Sequence, residues 1–237
     1  MTPNTRIVEH QIGGVALQAA LVGDAGARRP CVLVFHGLEG RSEAQEDFAR
    51  QLTDWGYAGF AVDLFGVEAS AGGIEQLQVH MGAFMENRAL LAERLLEVVE
   101  VARSQPEVDA DRVAAIGFCF GGLCALDLAR TGTDVRSVTS FHGVLTAPDG
   151  HATRRIPAKV AVHHGWDDPY APPADVVALG KELTEAHADW QIHAYGHTMH
   201  SFMAPNADNP EAGIAYNPVT ARRAWASLER LLAESLT

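Results

Sequence analysis

A cysteine, a pair of aspartates and a pair of histidines follow one another along this chain, each at the end of an apolar, strand-like segment. Cys119 lies in the run Ala114-Ala115-Ile116-Gly117-Phe118-Cys119-Phe120-Gly121-Gly122, where a short apolar strand passes through G-x-C-x-G into a helix. A side chain at Gly117 or Gly121 would press into the neighbouring helix or strand, so the two glycines allow a sharp, strained turn with Cys119 exposed at its tip. Backbone N–H groups opening the next helix point toward the sulfur and favour thiolate over thiol. A thiolate so placed is a nucleophile for an acyl carbon. The five-residue pattern alone also fits a buried structural cysteine on a Gly-rich strand end.

Two further segments bear on that choice. Residues 156–165 read as a strand that opens into Gly165-Trp166-Asp167-Asp168-Pro169, a loop carrying acids. Trp190 to Tyr195 alternates like a short strand and leads into Gly196-His197-Thr198-Met199-His200-Ser201-Phe202. Nucleophile, acid, histidine is the chain order of the α/β-hydrolase fold, distinct from the chymotrypsin and subtilisin orders. In such a triad the histidine holds or returns the proton and activates the deacylating water, while the acid fixes its tautomer and stabilises its cation. The residue types alone leave Asp167 and Asp168 as rivals for the acid, and His197 and His200 for the base.

These segments resemble the dienelactone hydrolase family. The resemblance is carried by Gly117-Phe118-Cys119-Phe120-Gly121-Gly122, by His163-His164-Gly165 with Asp168-Pro169, by Asp189-Trp190-Gln191, and by His200-Ser201-Phe202 followed by Ala215-Tyr216-Asn217. It runs from about Pro30 to the C-terminus. It implies hydrolysis of a small ester or lactone through a Cys119 acyl-enzyme, with Asp168 and His200 completing the triad and no metal or cofactor. The family places its aspartate four residues before a proline, here Pro172, which selects Asp168 and leaves Asp167 facing solvent. The His-Ser-Phe context selects His200 and leaves His197 as a loop residue.

The same resemblance implies an oxyanion hole from the backbone N–H groups of Phe120 and Leu38, with Gly37 and Gly40 letting the loop aim the Leu38 amide. Two departures stand out. Many members carry a glutamate directly after the residue matching His36, where this chain has Gly37; Glu39 is then a possible activating acid or a solvent-facing loop acid. An arginine that binds anionic lactones four residues past the histidine is here Ala204, with Arg88 as a possible substitute. Phe118, Phe120, Trp166, Tyr170 and Phe202 neighbour the triad in sequence and suit either an apolar substrate pocket or core packing.

Composition sets the frame. The 237 residues suit one α/β-hydrolase domain spanning 1–237, a mainly parallel twisted sheet with helices on both faces, and 47% hydrophobic content fills its core. A net charge of −12, from 18 basic against 30 acidic residues, argues against nucleic-acid or anionic-membrane partners and leaves a small molecule. No signal peptide or 18-residue apolar run is expected, which makes the cytoplasm the default, as a monomer or small homo-oligomer. Of the three cysteines, Cys31 and Cys124 read as packed thiols, and no C-x-x-C pair suggests zinc. His163 and His164 are adjacent and point to opposite sheet faces, so they are poor co-ligands. Two rival functions remain: a thioester hydrolase or acyltransferase on the same triad, and a silent hydrolase-fold binding protein.

The elements that must position these residues read as follows. A hairpin joins residues 6–11 to 15–22 across Gly13-Gly14, a loop spans 23–30, and Cys31 to Phe35 is a buried strand. Ser42 caps a helix to about Trp55, Tyr57 to Val62 is a strand, Phe65 to Gly73 an irregular loop, and one long helix runs from about Ile74 to Arg103. After the elbow strand come a helix 121–130, a strand 135–141, the acid strand, a helix 174–186, the histidine strand and a helix 219–236. Right-handed crossovers then bring the chemical strand ends to one edge.

Overall fold

The computed structural model describes residues 4–24, 26–150 and 152–237. β1 (Asn4–Ile12) and β2 (Val15–Gly23) form an antiparallel hairpin in register Ile12↔Val15. Its two-residue turn needs positive φ twice, which Gly13 and Gly14 adopt at 58° and 79°. β3 (Arg29–Phe35) pairs in parallel with β4 (Ala58–Ala61) after crossing through α1 (Glu43–Asp54). Ser42 opens α1, and its N–H donates to the Gln45 side-chain oxygen at 3.0 Å.

Beyond β5 (Val108–Phe118) the chain alternates α5 (Phe120–Arg130), β6 (Ser137–Phe141), β7 (Lys159–Gly165), α6 (Pro173–Glu185), β8 (Asp189–Tyr195) and α7 (Pro218–Ser235). β6, β7 and β8 pair in parallel, with Phe141 opposite His163 and Gly165 opposite Tyr195, so their carboxyl ends lie level. The eight-stranded sheet runs β1-β2-β4-β3-β5-β6-β7-β8, antiparallel at the β1-β2-β4 end and parallel along β6-β7-β8. The chain divides within β5 into two compact units, one ending at Ala115 and the other beginning at Ile116. α5 is buried along its whole length and apolar all round except where Asp127 and Arg130 pair at 3.0 Å. No helix among the described residues is long and apolar enough to cross a membrane.

Three expectations need correction. The long helix is two, α3 (Gly73–Glu86) and α4 (Arg88–Arg103), because Asn87 leaves the helical region (φ −124°, ψ 78°) and its side chain accepts the Leu90 N–H at 3.0 Å, capping a new start. The stretch from Phe65 to Gly73 holds a short helix, α2 (Val67–Ala71), too brief to show a helical period. Between the histidine loop and α7 lies an unanticipated hairpin, β9 (Asp208–Asn209) and β10 (Ile214–Ala215), joined by a 3-10 turn over Pro210–Ala212.

Candidate active site

The elbow is a strained bend. Cys119 sits at φ 56°, ψ −117°, a conformation that side-chain-bearing residues rarely hold without support from their surroundings. That support is a close packing that excludes any Cβ at Gly117: one built there would lie 1.9 Å from the Gly121 carbonyl oxygen. The Cys119 N–H donates to the Phe141 carbonyl at 3.1 Å and to His142 Nδ1 at 3.2 Å, tying the tip of the bend to the end of β6. Its carbonyl accepts from Gly122 at 3.0 Å and starts α5. The thiol is half-buried, whereas Cys31 and Cys124 are enclosed and burial pushes Cys31 up to about 12.

Of the two adjacent acids, His200 bonds one. Its Nδ1 lies 2.8 Å from Asp168 Oδ2, with both side chains buried. Since Asp168 occupies Nδ1, Nε2 is the ring nitrogen left for Cys119. Burial opposes charge on this ring, but hydrogen bonds to Asp168 and Cys119 outweigh it and raise His200 to about 9.

Local packing makes that contact specific. Asp168 turns inward because its Oδ1 accepts the Tyr170 N–H at 2.8 Å, while Asp167 is exposed and donates its own N–H to the Thr198 carbonyl at 3.0 Å. The acid loop presses against the histidine loop so closely that a Cβ on Gly165 would sit 2.5 Å from the Thr198 oxygen. The unanticipated hairpin clamps the histidine: the His200 N–H donates to Gly213 at 2.9 Å and its carbonyl accepts from Ala215 at 3.1 Å. His197, by contrast, projects fully into solvent, with Nδ1 3.9 Å from Asp167.

The remaining predicted residues divide. Tyr170 lies over His200, ring centroids 4.8 Å apart, and is half exposed, as is Trp166 beside His164. Phe118 and Phe202 are enclosed, Phe118 stacked on Phe141 at 5.0 Å and Phe202 edge-on to His142 at 5.2 Å; Phe120 is buried at the start of α5. In the other unit, Leu38 is half-buried and Glu39 exposed on the loop after β3. Glu39 accepts from the Gly37 N–H at 3.3 Å and from the Gln45 side chain at 2.5 Å. His36 steadies the same loop: Nδ1 meets the Gly37 carbonyl at 2.7 Å and Nε2 accepts the Leu64 N–H at 3.1 Å, and burial keeps the ring below its ordinary pKa. Arg88 begins α4, and Ala204 is half-buried without charge.

Sequence reasoning missed His142. It is buried at φ 38° beside the elbow, its ring 5.1 Å from that of His200. The sequence signal for it is a histidine ending the strand next to the one that leads to Cys119.

The dienelactone hydrolase family model matches residues 17–236. Among solved structures, the chain is similar to m3DLH, at 34% identity and TM-score 0.92 with all of both chains covered. It is likewise similar to the dienelactone hydrolase-like promiscuous phosphotriesterase P91 from metagenomic libraries, at 32% identity and TM-score 0.91, again over both whole chains. Among curated proteins, a carboxymethylenebutenolidase of Pseudomonas sp. (strain P51) shares 27% identity over 218 residues, covering 88% of this chain and 89% of that one.

Proposed function

This chain belongs to the dienelactone hydrolase family and is a carboxylic ester or lactone hydrolase, and from that premise we propose that it works through a Cys119 acyl-enzyme. The observation that carries the reading is the buried His200–Asp168 hydrogen bond at 2.8 Å on one side and the strained elbow that holds Cys119 at φ 56° on the other. The Cys119 sulfur attacks the acyl carbon, forming a C–S bond while the carbonyl electrons move to oxygen. The backbone N–H of Phe120, which follows the nucleophile at the start of α5, receives that oxyanion. As the C–O bond to the leaving group breaks, the His200 cation gives its proton to the departing alkoxide, leaving a thioester and neutral imidazole. His200 then takes a proton from water, the hydroxide attacks the thioester, and the thiolate departs. Asp168 holds the ring in the Nδ1–H tautomer throughout.

Glu39 contributes a negative charge on the loop after β3, and Glu39→Gln is expected to shift the pH dependence of kcat/KM. With Ala204 in place of an arginine, neutral lactones and short aryl esters are the preferred substrates rather than anionic lactones. Residues 1–237 act as one catalytic domain, best suited to a reducing cytoplasm that keeps the thiol free. A second substrate class, phosphate triesters, follows from the full-length likeness to P91. The test is a panel of neutral and anionic lactones, aryl esters, thioesters and an aryl phosphate triester, run with and without competing alcohol or amine acceptors. Hydrolysis of esters or lactones that disappears in Cys119→Ala is expected; unchanged hydrolysis in Cys119→Ala overturns the mechanism, and dominant transfer to acceptors makes the protein an acyltransferase.

A further inference from the structure

A buried imidazole that no step above uses touches both reacting residues. His142 follows the last residue of β6, and its own N–H continues the sheet pairing to the His163 carbonyl at 2.9 Å. Its ring is packed between Phe118, Phe202 and His200, with centroid distances of 6.1, 5.2 and 5.1 Å. Nδ1 accepts the Cys119 N–H at 3.2 Å, which fixes the tautomer with the proton on Nε2. That Nε2 is buried and finds no hydrogen-bond partner among the described residues. A phenylalanine would fill the same space without this cost, so packing alone does not account for an imidazole here. The backbone is also held at positive φ, a second cost at the same residue.

We propose that His142 is a positioning residue for the nucleophile, its Nδ1 holding the amide of Cys119 at the tip of the elbow while its uncharged ring backs His200. The Cys119 amide already has a second acceptor in the Phe141 carbonyl at 3.1 Å, so losing Nδ1 leaves no orphaned N–H and the elbow still forms. What is lost is the fork between two acceptors that fixes the direction of the bend and, with it, the line from sulfur to His200. The charge state of His142 matters for the same geometric reason. A proton on Nδ1 would turn the acceptor into a donor facing the Cys119 N–H and set a second cation against the His200 cation. Burial and the neighbouring His200 both keep the ring well below its ordinary pKa, which preserves the acceptor at neutral pH. The titratable groups facing His142 are Cys119 from the elbow and His200 from the histidine loop; from β7 it meets the His163 carbonyl, which accepts its N–H, while the His163 ring stacks on Phe141 at 4.9 Å.

The inference rests on Cys119 as nucleophile, and its test is independent of any ester. His142→Asn places a side-chain oxygen near the Nδ1 position and tolerates positive φ; His142→Phe keeps the ring and removes the acceptor. Iodoacetamide alkylation of Cys119, followed by mass across pH 5 to 10, and the split of kcat from KM on p-nitrophenyl acetate are the readouts. Phe is expected to slow alkylation at pH 7 and to lower kcat by about tenfold to a hundredfold with KM within about twofold, the scale of a small misplacement of a reacting group, and Asn to recover most of both. Equal behaviour of Phe and Asn, or wild-type alkylation in Phe, overturns the proposal. If Phe does not fold, His142→Ala takes its place in the same comparison with Asn. Alkylation that follows this ranking in a protein that turns over no ester keeps the proposal and rejects the ester-hydrolase mechanism instead.

Discussion

Two aspartate–histidine pairs sit in the same two loops, one residue apart on the acid side and three apart on the histidine side. Asp168 and His200 are 2.8 Å apart with side chains 0% and 6% exposed, whereas Asp167 and His197 are 3.9 Å apart at 46% and 103%. The residue types and the loops are the same, so the difference is enclosure. Inside, burial opposes charge on the ring, but little water competes with its partners, so Asp168 and Cys119 together raise His200 to about 9. Outside, solvent and salt leave such a pair with little net effect. The lesson is that the Tyr170 amide, the clamp from Gly213 and Ala215, and the close approach at Gly165 make the enclosed pair, by turning one of two adjacent acids and one of two nearby histidines inward.

The largest expected effect breaks the inner pair. Asp168→Asn and His200→Ala should each lower ester hydrolysis by several orders of magnitude, while Asp167→Asn and His197→Ala should cost about tenfold or less, a barrier change of about 1.4 kcal/mol. Steady-state kinetics on one ester decides this, and the reverse ranking within either couple would transfer the role to the outer pair.

The next effect is on stability. Because folding raises the His200 pKa from near 6.5 to about 9, the ring contributes stability that is complete below about pH 6.5 and is lost as pH rises through about 9, of order 3 kcal/mol in all. Denaturant midpoints measured from pH 6 to pH 10 should therefore fall more steeply in wild type than in His200→Ala. His197→Ala should follow the wild-type slope. Cys119→Ala should keep the share of that slope owed to Asp168 and lose the rest, since both partners raise the ring. A wild-type slope as flat as that of His200→Ala would mean the ring is not held charged.

The smallest effect separates the pairs by screening. Raising salt from low to about 0.5 M should leave kcat/KM on a neutral ester nearly unchanged, because the inner pair lies outside the reach of mobile ions. A large loss with salt would place the working charges at the surface.

Much of this arrangement is legible in the sequence, and the gaps have physical causes. The elbow reads clearly because a strand, a tight turn and a helix each leave their own mark around Gly117 and Gly121. Asp168 over Asp167 is not legible from the residues themselves; adjacent loop residues face opposite ways, and the Tyr170 amide that chooses between them is a backbone group. The break at Asn87 hides because an asparagine inside an apolar period looks like any polar helix position until its side chain caps Leu90. The clamp on His200 comes from two-residue strands, too short for any periodicity. His142 reaches its partner across 23 residues, through the register of neighbouring strands, a contact that single-segment reading does not supply. Phe118 and Phe202 look like pocket walls by proximity in sequence, yet both are enclosed, while Tyr170 and Trp166 keep open faces.

The central claim is that Cys119 carries the acyl group, and one measurement meets it directly: intact-protein and peptide mass spectrometry after rapid acid quench of the enzyme with a slowly hydrolysed aryl ester. The account predicts one acyl group per chain, located on Cys119 and absent from Cys31 and Cys124, appearing before steady-state product and absent altogether in Cys119→Ala. An acyl group found on another residue, or hydrolysis that continues undiminished in Cys119→Ala, would contradict it.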